Sequence, residues 1–222
     1  GFTPDQILYI ANNISPAEMR QALEAGVLVS VDSLSQLESL GRLNRGGRVM
    51  VRFNPGIGAG HHQKVVTAGK DTKFGIPPDL LDEVLVILKK YDMRLAGINP
   101  HIGSLFMEAD GYIAAASVLL ELAERLPADV LRGLEIIDFG GGFGIPYRKY
   151  EGQARLDMAD LGAKLHALIS GWADKTGYAG RLPVEPGPHG APECGLIPPE
   201  VQNRKNNGDT CYEGPGGGFN VL

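Results

Sequence analysis

Three motifs in this sequence carry residues that could do chemistry, and each follows an apolar run. The most distinctive is DFGGGFG at residues 138–144, directly after the apolar residues 134–137. Consecutive glycines let a backbone approach a ligand closely and point several N–H groups at an anion. A tight turn is the simpler explanation of the glycines, but their position at the end of a strand favours phosphate binding.

The other two motifs are HIGS at residues 101–104 and EPG at residues 185–187, again at the ends of strand candidates. His101 could stack on a planar cofactor, although an isolated histidine is more often structural, and Ser104 could donate to a phosphate oxygen. Glu185 could hold a proton on a ring nitrogen, or it could be an incidental acid in a turn. An anion cradle, a flat-ring partner and an acid for a ring nitrogen are together what pyridoxal phosphate needs.

Short apolar runs alternate with helical patterns, and these are the elements that must position the motifs. Strands are predicted at residues 7–10, 27–31, 49–53, 95–98, 134–137 and 182–184. Helical patterns fall between them, among them 81–88, 112–125 and 158–173. Six β-then-α units imply a parallel sheet, because parallel neighbours need a crossover helix. The pattern favours a barrel over an open sheet.

Capping residues predict where the first two helices start. SPAE at residues 15–18 has the form of a capping box with proline in the first turn, and this helix is expected to end at a left-handed Gly26. Ser33 is expected to cap the next helix.

The length predicts an incomplete barrel. The chain has 222 residues, whereas a TIM-like (β/α)8 barrel needs roughly 250. We therefore expect a partial α/β barrel over residues 1–190. Residues 191–222 lack a helical period and are expected to be either a ragged tail or the beginning of a β-rich C-terminal domain, with residues 202–208 as an exposed connection or hairpin tip.

Charge and composition disfavour several classes of partner. A net charge of -5 argues against nucleic acid and anionic membranes, and no apolar run approaches the roughly 20 residues that span a bilayer. Cys194 and Cys211 suggest neither a disulfide framework nor a CxxC site, which favours the cytoplasm. His61 and His62 point apart on an extended chain with no acid or cysteine at ligand spacing, so no metal is expected.

Several motifs together resemble one family. HIGS at 101–104, GGGFGIPY at 140–147 and EPG at 185–187 are similar to motifs of the barrel-fold decarboxylases of diaminopimelate, ornithine and arginine. NPGIGAGHH at 54–62 and TKFG at 72–75 further resemble the diaminopimelate decarboxylases and their D-amino-acid relatives. The likeness runs from residue 1 to about 187 with the motifs in the same order.

This resemblance implies roles for individual residues. His101 would stack on the ring of pyridoxal phosphate and Glu185 would pair with its nitrogen, which makes these two the expected catalytic residues. Arg52 would support the pyridine side. The expected cofactor-binding residues are His101, Ser104, Gly140, Gly141, Gly142, Glu185, Pro186, Gly187 and Arg52.

The resemblance also implies an activity, the decarboxylation of meso-diaminopimelate to L-lysine and carbon dioxide by a homodimer. D-lysine, D-ornithine or another diamino acid stays open as substrate. A non-catalytic cofactor-binding homologue also stays open, since the family's Schiff-base lysine lies before the region matching Gly1, and Pro188 stands where the family has an arginine. We accordingly expect the chain to be a piece of a longer one.

Overall fold

The computed structural model describes residues 1–10, 12–56, 73–100, 106–146, 151–190 and 200–215. The chain divides into two units, residues 1–190 and 191–222. The first unit contains the strands Leu8–Ile10 (β1), Leu28–Val31 (β2), Arg48–Arg52 (β3), Arg94–Asn99 (β4) and Ile136–Ile137 (β5). Its helices are Pro16–Glu24 (α1), Leu34–Leu43 (α2), Leu81–Lys90 (α3), Ala109–Glu124 (α4), Ala128–Gly133 (α5) and Met158–Thr176 (α6). Helix α5 is absent from the sequence prediction.

The five strands form one sheet whose spatial order, β1 to β5, follows the order of the chain. All four strand pairs are parallel. A sequential order is that of a (β/α)8 barrel, whereas a doubly wound sheet reverses its order at a switch point. The predicted α/β class and parallel sheet are confirmed.

The predicted sixth strand is an extended segment rather than a regular strand. Single parallel bridges join Ile136 to Arg181 and Gly141 to Glu185. The Ile137 N–H donates to the Arg181 carbonyl at 3.0 Å, and the Phe139 N–H donates to the Pro183 carbonyl at 3.0 Å. Pro183 has no N–H of its own, so it can accept in a ladder but cannot donate to one.

The local signals at the first two helices are confirmed. The Glu18 N–H donates to Ser15 Oγ at 3.3 Å and the Ser15 N–H donates to Glu18 Oε2 at 2.7 Å, which is the reciprocal capping box. Gly26 has φ +75°, the left-handed conformation expected after α1. The Gln36 N–H donates to Ser33 Oγ at 3.2 Å at the start of α2.

The sheet has two different faces. Val29, Val51 and Ile137 belong to the large apolar core that includes the helices. Alternate side chains point to the opposite face, where Leu28, Met50, Ala96 and Ile136 form a small apolar cluster of their own. None of the described helices is long and apolar enough to cross a membrane.

The second unit contains an antiparallel hairpin, Val201–Asn207 (β6) paired with Thr210–Pro215 (β7). Gly208 has φ +60° in the turn between them. A hairpin does lie here, but its tip is at residues 208–209, and most of the segment that the sequence suggested as the tip is strand β6.

Candidate functional site

Buried polar side chains stand side by side at the carboxyl ends of the parallel strands. Ser30, Arg52 and Asn99 lie at the ends of β2, β3 and β4, and Asp138 directly follows β5; each is at most 5% exposed. Ser30, Arg52 and Asp138 each come two residues after a member of the small apolar cluster, so they continue the same face of the sheet. The carboxyl ends of barrel strands are where active sites form.

The first part of this polar row is a hydrogen-bonded pair. Ser30 Oγ donates to Asn99 Oδ1 at 2.8 Å, joining β2 to β4 across 69 positions of sequence. Asn99 Nδ2 is buried and has no hydrogen-bond partner among the described residues. Most buried polar atoms in proteins are satisfied, so an orphaned donor here indicates a place for a ligand or water.

Arg52 is a buried cation in the middle of the row. Its Nη1 donates to Asn12 Oδ1 at 3.0 Å, and its Cζ lies 5.0 Å from the centre of the Phe74 ring. Burial lowers the pKa of Arg52, while the carboxylates of Asp32 and Glu185 act in the opposite direction. Burial also raises the pKa of Asp32, against the attraction of Arg52. Arg52 therefore interacts with two acids that come from different segments of the chain.

The glycine loop is tied to the segment that carries Glu185. The Glu185 N–H donates to the Gly140 carbonyl at 2.7 Å, and the Gly142 N–H donates to the Glu185 carbonyl at 3.3 Å. Gly140 and Gly142 have φ of +65° and +95°, a region that side chains disfavour. Gly187 also lies close to the glycine loop, since a β-carbon at position 187 would lie 3.8 Å from the Gly142 backbone. Two of the predicted motifs therefore form one structural unit.

Three buried aromatic side chains support this loop. The Phe106 ring stacks on Tyr112 at 5.2 Å, and Phe143 packs edge-on against both. The Tyr112 hydroxyl donates to the Gly140 carbonyl at 3.2 Å. Burial, with smaller contributions from Asp138 and Glu185, raises the pKa of Tyr112, which keeps this hydroxyl protonated as a donor.

Asp138 is a buried acid beside Glu185. Its Oδ1 accepts from the Gly140 N–H at 2.9 Å, whereas Oδ2 is buried without a donor partner among the described residues. Burial, followed by a hydrogen bond to Glu185 and the charge of that group, raises the pKa of Asp138 to about 8, and the Gly140 N–H acts in the opposite direction. If the carboxyl groups of Asp138 and Glu185 were both ionised, neither could donate a hydrogen bond to the other. A hydrogen bond between them therefore requires a proton on one of the two groups.

The structure brings together most of the residues that the sequence singled out. Arg52, the glycine loop and the EPG segment meet at the carboxyl end of the sheet. Pro186 and Gly187 lie on this segment and are exposed. His101 and Ser104 fall outside the described residues, as do His61 and His62. Among the residues that are described, no group of three His, Cys, Asp or Glu side chains is placed to hold a metal ion.

Sequence reasoning missed the polar partners of these motifs. Ser30, Asn99, Tyr112 and Asp138 were not predicted as site residues. A usable signal exists for the strand residues, because each is a polar residue at or directly after the end of an otherwise apolar strand. Tyr112 carries no such signal, since it resembles any core aromatic of a helix.

Diaminopimelate decarboxylases are similar in sequence to this chain along nearly its whole length. The chain is 34% identical over 225 residues to the diaminopimelate decarboxylase of Methanothermobacter thermautotrophicus, which covers 100% of this chain and 52% of that protein. It is 29% identical over 219 residues to the diaminopimelate decarboxylase of Escherichia coli K12, covering 99% and 50%. The chain thus spans about half the length of the curated relatives it matches.

Solved structures share the fold. A diaminopimelate decarboxylase crystal structure superimposes with a TM-score of 0.78 at 29% identity, covering 98% of this chain and 50% of that one. The Helicobacter pylori diaminopimelate decarboxylase complexed with L-lysine gives a TM-score of 0.81 at 24% identity, covering 96% and 52%. These likenesses confirm the partial α/β barrel. Residues 1–189 match the family described as pyridoxal-dependent decarboxylase, pyridoxal binding domain, and the chain belongs to that family of pyridoxal-dependent decarboxylases.

Proposed function

We propose that the protein to which this chain belongs decarboxylates meso-diaminopimelate to L-lysine and carbon dioxide, with pyridoxal phosphate held at the carboxyl ends of the strands. The names of the relatives support the reaction, and the Helicobacter pylori structure is of a complex with L-lysine. The observation that carries the proposal is the direct backbone pairing of Glu185 with the glycine loop, because it places an acid and an anion cradle in one rigid unit.

The residues present fit the cofactor. The Gly141 and Gly187 N–H groups make no hydrogen bond to another described backbone group, so they are available to a phosphate. A β-carbon at Gly141 would collide with the Glu185 backbone, so the loop accepts no side chain at its centre. We propose that the Gly141 and Gly187 N–H groups hold the phosphate together with Ser104. Gly140 and Gly142, whose N–H groups are bonded to Asp138 and to the Glu185 carbonyl, are proposed to shape the loop around it.

The remaining side chains bind and orient the ring. Pyridoxal phosphate, when bound, supplies an electron sink for the electron pair left by the departing carboxylate. Glu185 accepts the hydrogen bond of the ring nitrogen and keeps a proton on that atom. Arg52 adds a buried positive charge that attracts the Glu185 carboxylate. His101 is proposed to stack on the ring, and Pro186 keeps the EPG backbone in place beside it.

We further propose a homodimer in the cytoplasm, residues 1–190 as the cofactor barrel and residues 191–222 as the beginning of a β-rich domain. The family resemblance supports the dimer, and the exposed free thiol of Cys211 suits a reducing compartment. Light scattering of the full-length protein tests the dimer. A monomer at micromolar concentration would contradict it.

The reaction is tested with the full-length gene product and pyridoxal phosphate. Release of carbon dioxide and L-lysine from meso-diaminopimelate supports the proposal, with D-lysine and D-ornithine as competing substrates in parallel assays. Turnover of D-lysine or D-ornithine but not of meso-diaminopimelate would change the substrate assignment. Cofactor binding without any turnover, and without a lysine adduct trapped by borohydride, would show a non-catalytic homologue.

A further inference from the structure

Asp138 is an acid that the proposed function leaves unexplained. It is 0% exposed, directly follows strand β5, accepts from the Gly140 N–H of the glycine loop and interacts with Glu185. An ionised carboxylate in such a place is costly unless a cation or several donors compensate it. The groups around Asp138 therefore decide whether its carboxyl group can be ionised there.

The described groups around Asp138 supply only one strong donor. Oδ1 has the Gly140 N–H, and Oδ2 has no donor at all. Arg52 on β3, a buried cation of the same polar row, interacts with the carboxylates of Asp32 and Glu185, and among the described residues it forms no hydrogen bond with Asp138. From helix α4, the Tyr112 hydroxyl is committed to the Gly140 carbonyl. Nothing described on β3, on α4 or after β2 therefore neutralises a charge on Asp138.

We propose that Asp138 is a positioning residue that carries a proton and donates it in a hydrogen bond from Oδ2 to the Glu185 carboxylate, while Oδ1 holds the Gly140 N–H. This inference rests on the proposed function, in which Glu185 serves the ring nitrogen. A protonated Asp138 carboxyl supplies the donor that the site lacks, and it leaves the negative charge of this pair of acids on Glu185, which interacts with Arg52.

In this arrangement the Asp138 side chain connects the glycine loop to the Glu185 side chain. The backbone of Glu185 is already paired with Gly140 and Gly142, and the bond from Asp138 would fix its side chain as well. The carboxylate then meets the ring nitrogen without first having to be ordered, so the entropy of ordering is not lost on binding. The raised pKa of Asp138 agrees with this assignment.

Two substitutions at position 138 test whether hydrogen-bonding groups are needed there, and a spectroscopic measurement tests whether Asp138 carries a proton. Asp138→Asn keeps an oxygen for the Gly140 N–H and presents an N–H₂ donor to Glu185, as the protonated acid does. Asp138→Ala removes both. Asp157 offers matched controls, because its Oδ1 likewise accepts from the N–H two residues later, at 2.9 Å, but at an exposed helix cap that contributes no residue to the proposed site.

The measurements use full-length protein. Infrared difference spectra of wild type minus D138N, taken without cofactor, should show a protonated-carboxyl band near neutral pH, whereas wild type minus D157N should show none. Titration with pyridoxal phosphate should give roughly 10- to 100-fold weaker binding for D138A, and D138N should recover most of it. D157A should bind like wild type.

Absence of the carboxyl band, or D138N binding as weakly as D138A, would overturn the inference. Wild-type protein that binds no pyridoxal phosphate would instead contradict the proposed function, while the infrared comparison would still decide whether Asp138 carries its proton.

Discussion

The backbone of Glu185 lies directly against Gly141, since a β-carbon at position 141 would fall 1.3 Å from the Glu185 carbonyl oxygen and 2.3 Å from its carbonyl carbon. Because the obstacle is backbone and not a flexible side chain, it cannot move aside without separating the two motifs. The contact explains why the middle residue of the loop is a glycine, and it makes the loop sensitive to a single methyl group.

Gly141→Ala is expected to weaken pyridoxal phosphate binding at least about tenfold and to lower the free energy of unfolding by about 1–3 kcal/mol, as overpacking does. Fluorescence titration and urea denaturation measure the two effects. Gly162→Ala in α6 is the matched control, because nothing lies within 4 Å of its β-carbon position and alanine favours a helix. Equal cofactor affinity in the two variants would contradict the assignment of the loop.

Glu185→Gln is expected to lower kcat by about 100-fold or more, because a neutral amide cannot hold the ring nitrogen in its protonated form. Cofactor affinity should fall much less than in G141A, since the Glu185 backbone bonds to the loop do not involve its side chain. Steady-state kinetics with cofactor in excess separates the two effects. An unchanged kcat would remove Glu185 from the catalytic residues.

Tyr112→Phe is expected to cost about 0.5–1.5 kcal/mol of unfolding free energy, because it removes one of the two donors to the Gly140 carbonyl and leaves only the Glu185 N–H. Tyr112→Ala should cost about 3–5 kcal/mol, since it also removes the ring packed against Phe106 and Phe143. Urea denaturation measures both. Tyr212→Phe on the exposed hairpin serves as control and should change stability by less than about 0.5 kcal/mol. Similar losses at positions 112 and 212 would argue against the supporting role of Tyr112.

The raised pKa of Asp138 predicts a pH dependence of stability without cofactor. The folded protein keeps this proton up to about pH 8, whereas the unfolded chain loses it near the ordinary value of 3.8. The contribution of Asp138 is therefore fully present below about pH 4 and is lost as the pH rises toward 8. Relative to D138N, the unfolding free energy of wild type should fall by at most about 1.4 kcal/mol per pH unit in this window. Parallel pH profiles of the two proteins would contradict the shift.

Part of this protein could be predicted from the sequence because the causes are local. The capping box of Ser15 and Glu18 and the left-handed Gly26 depend on residues within a few positions of each other. The parallel sheet follows from regular alternation of apolar runs and helices. The motifs of the glycine loop and EPG could likewise be identified, because their residue types and spacing are specific as a set, although the roles of His101, Ser104 and their neighbours stay predictions.

The tertiary structure alone decided which of these pieces touch. Ser30 on β2 and Asn99 on β4 bond across 69 positions of sequence because the parallel strands end at the same edge of the sheet. Tyr112 reaches Gly140 across 28 positions because helix α4 packs against the loop after β5. The sixth strand is an irregular extended segment where the apolar pattern predicts a regular strand, because Pro183 has no N–H to donate to its neighbour. In the sequence, Asp138 resembles any acidic residue in a turn after an apolar run. It becomes buried beside a second carboxyl group only when β5 and the Glu185 segment pack together. Desolvation and charge proximity are properties of the folded chain, and they give this acid an environment that residue type and spacing cannot reveal.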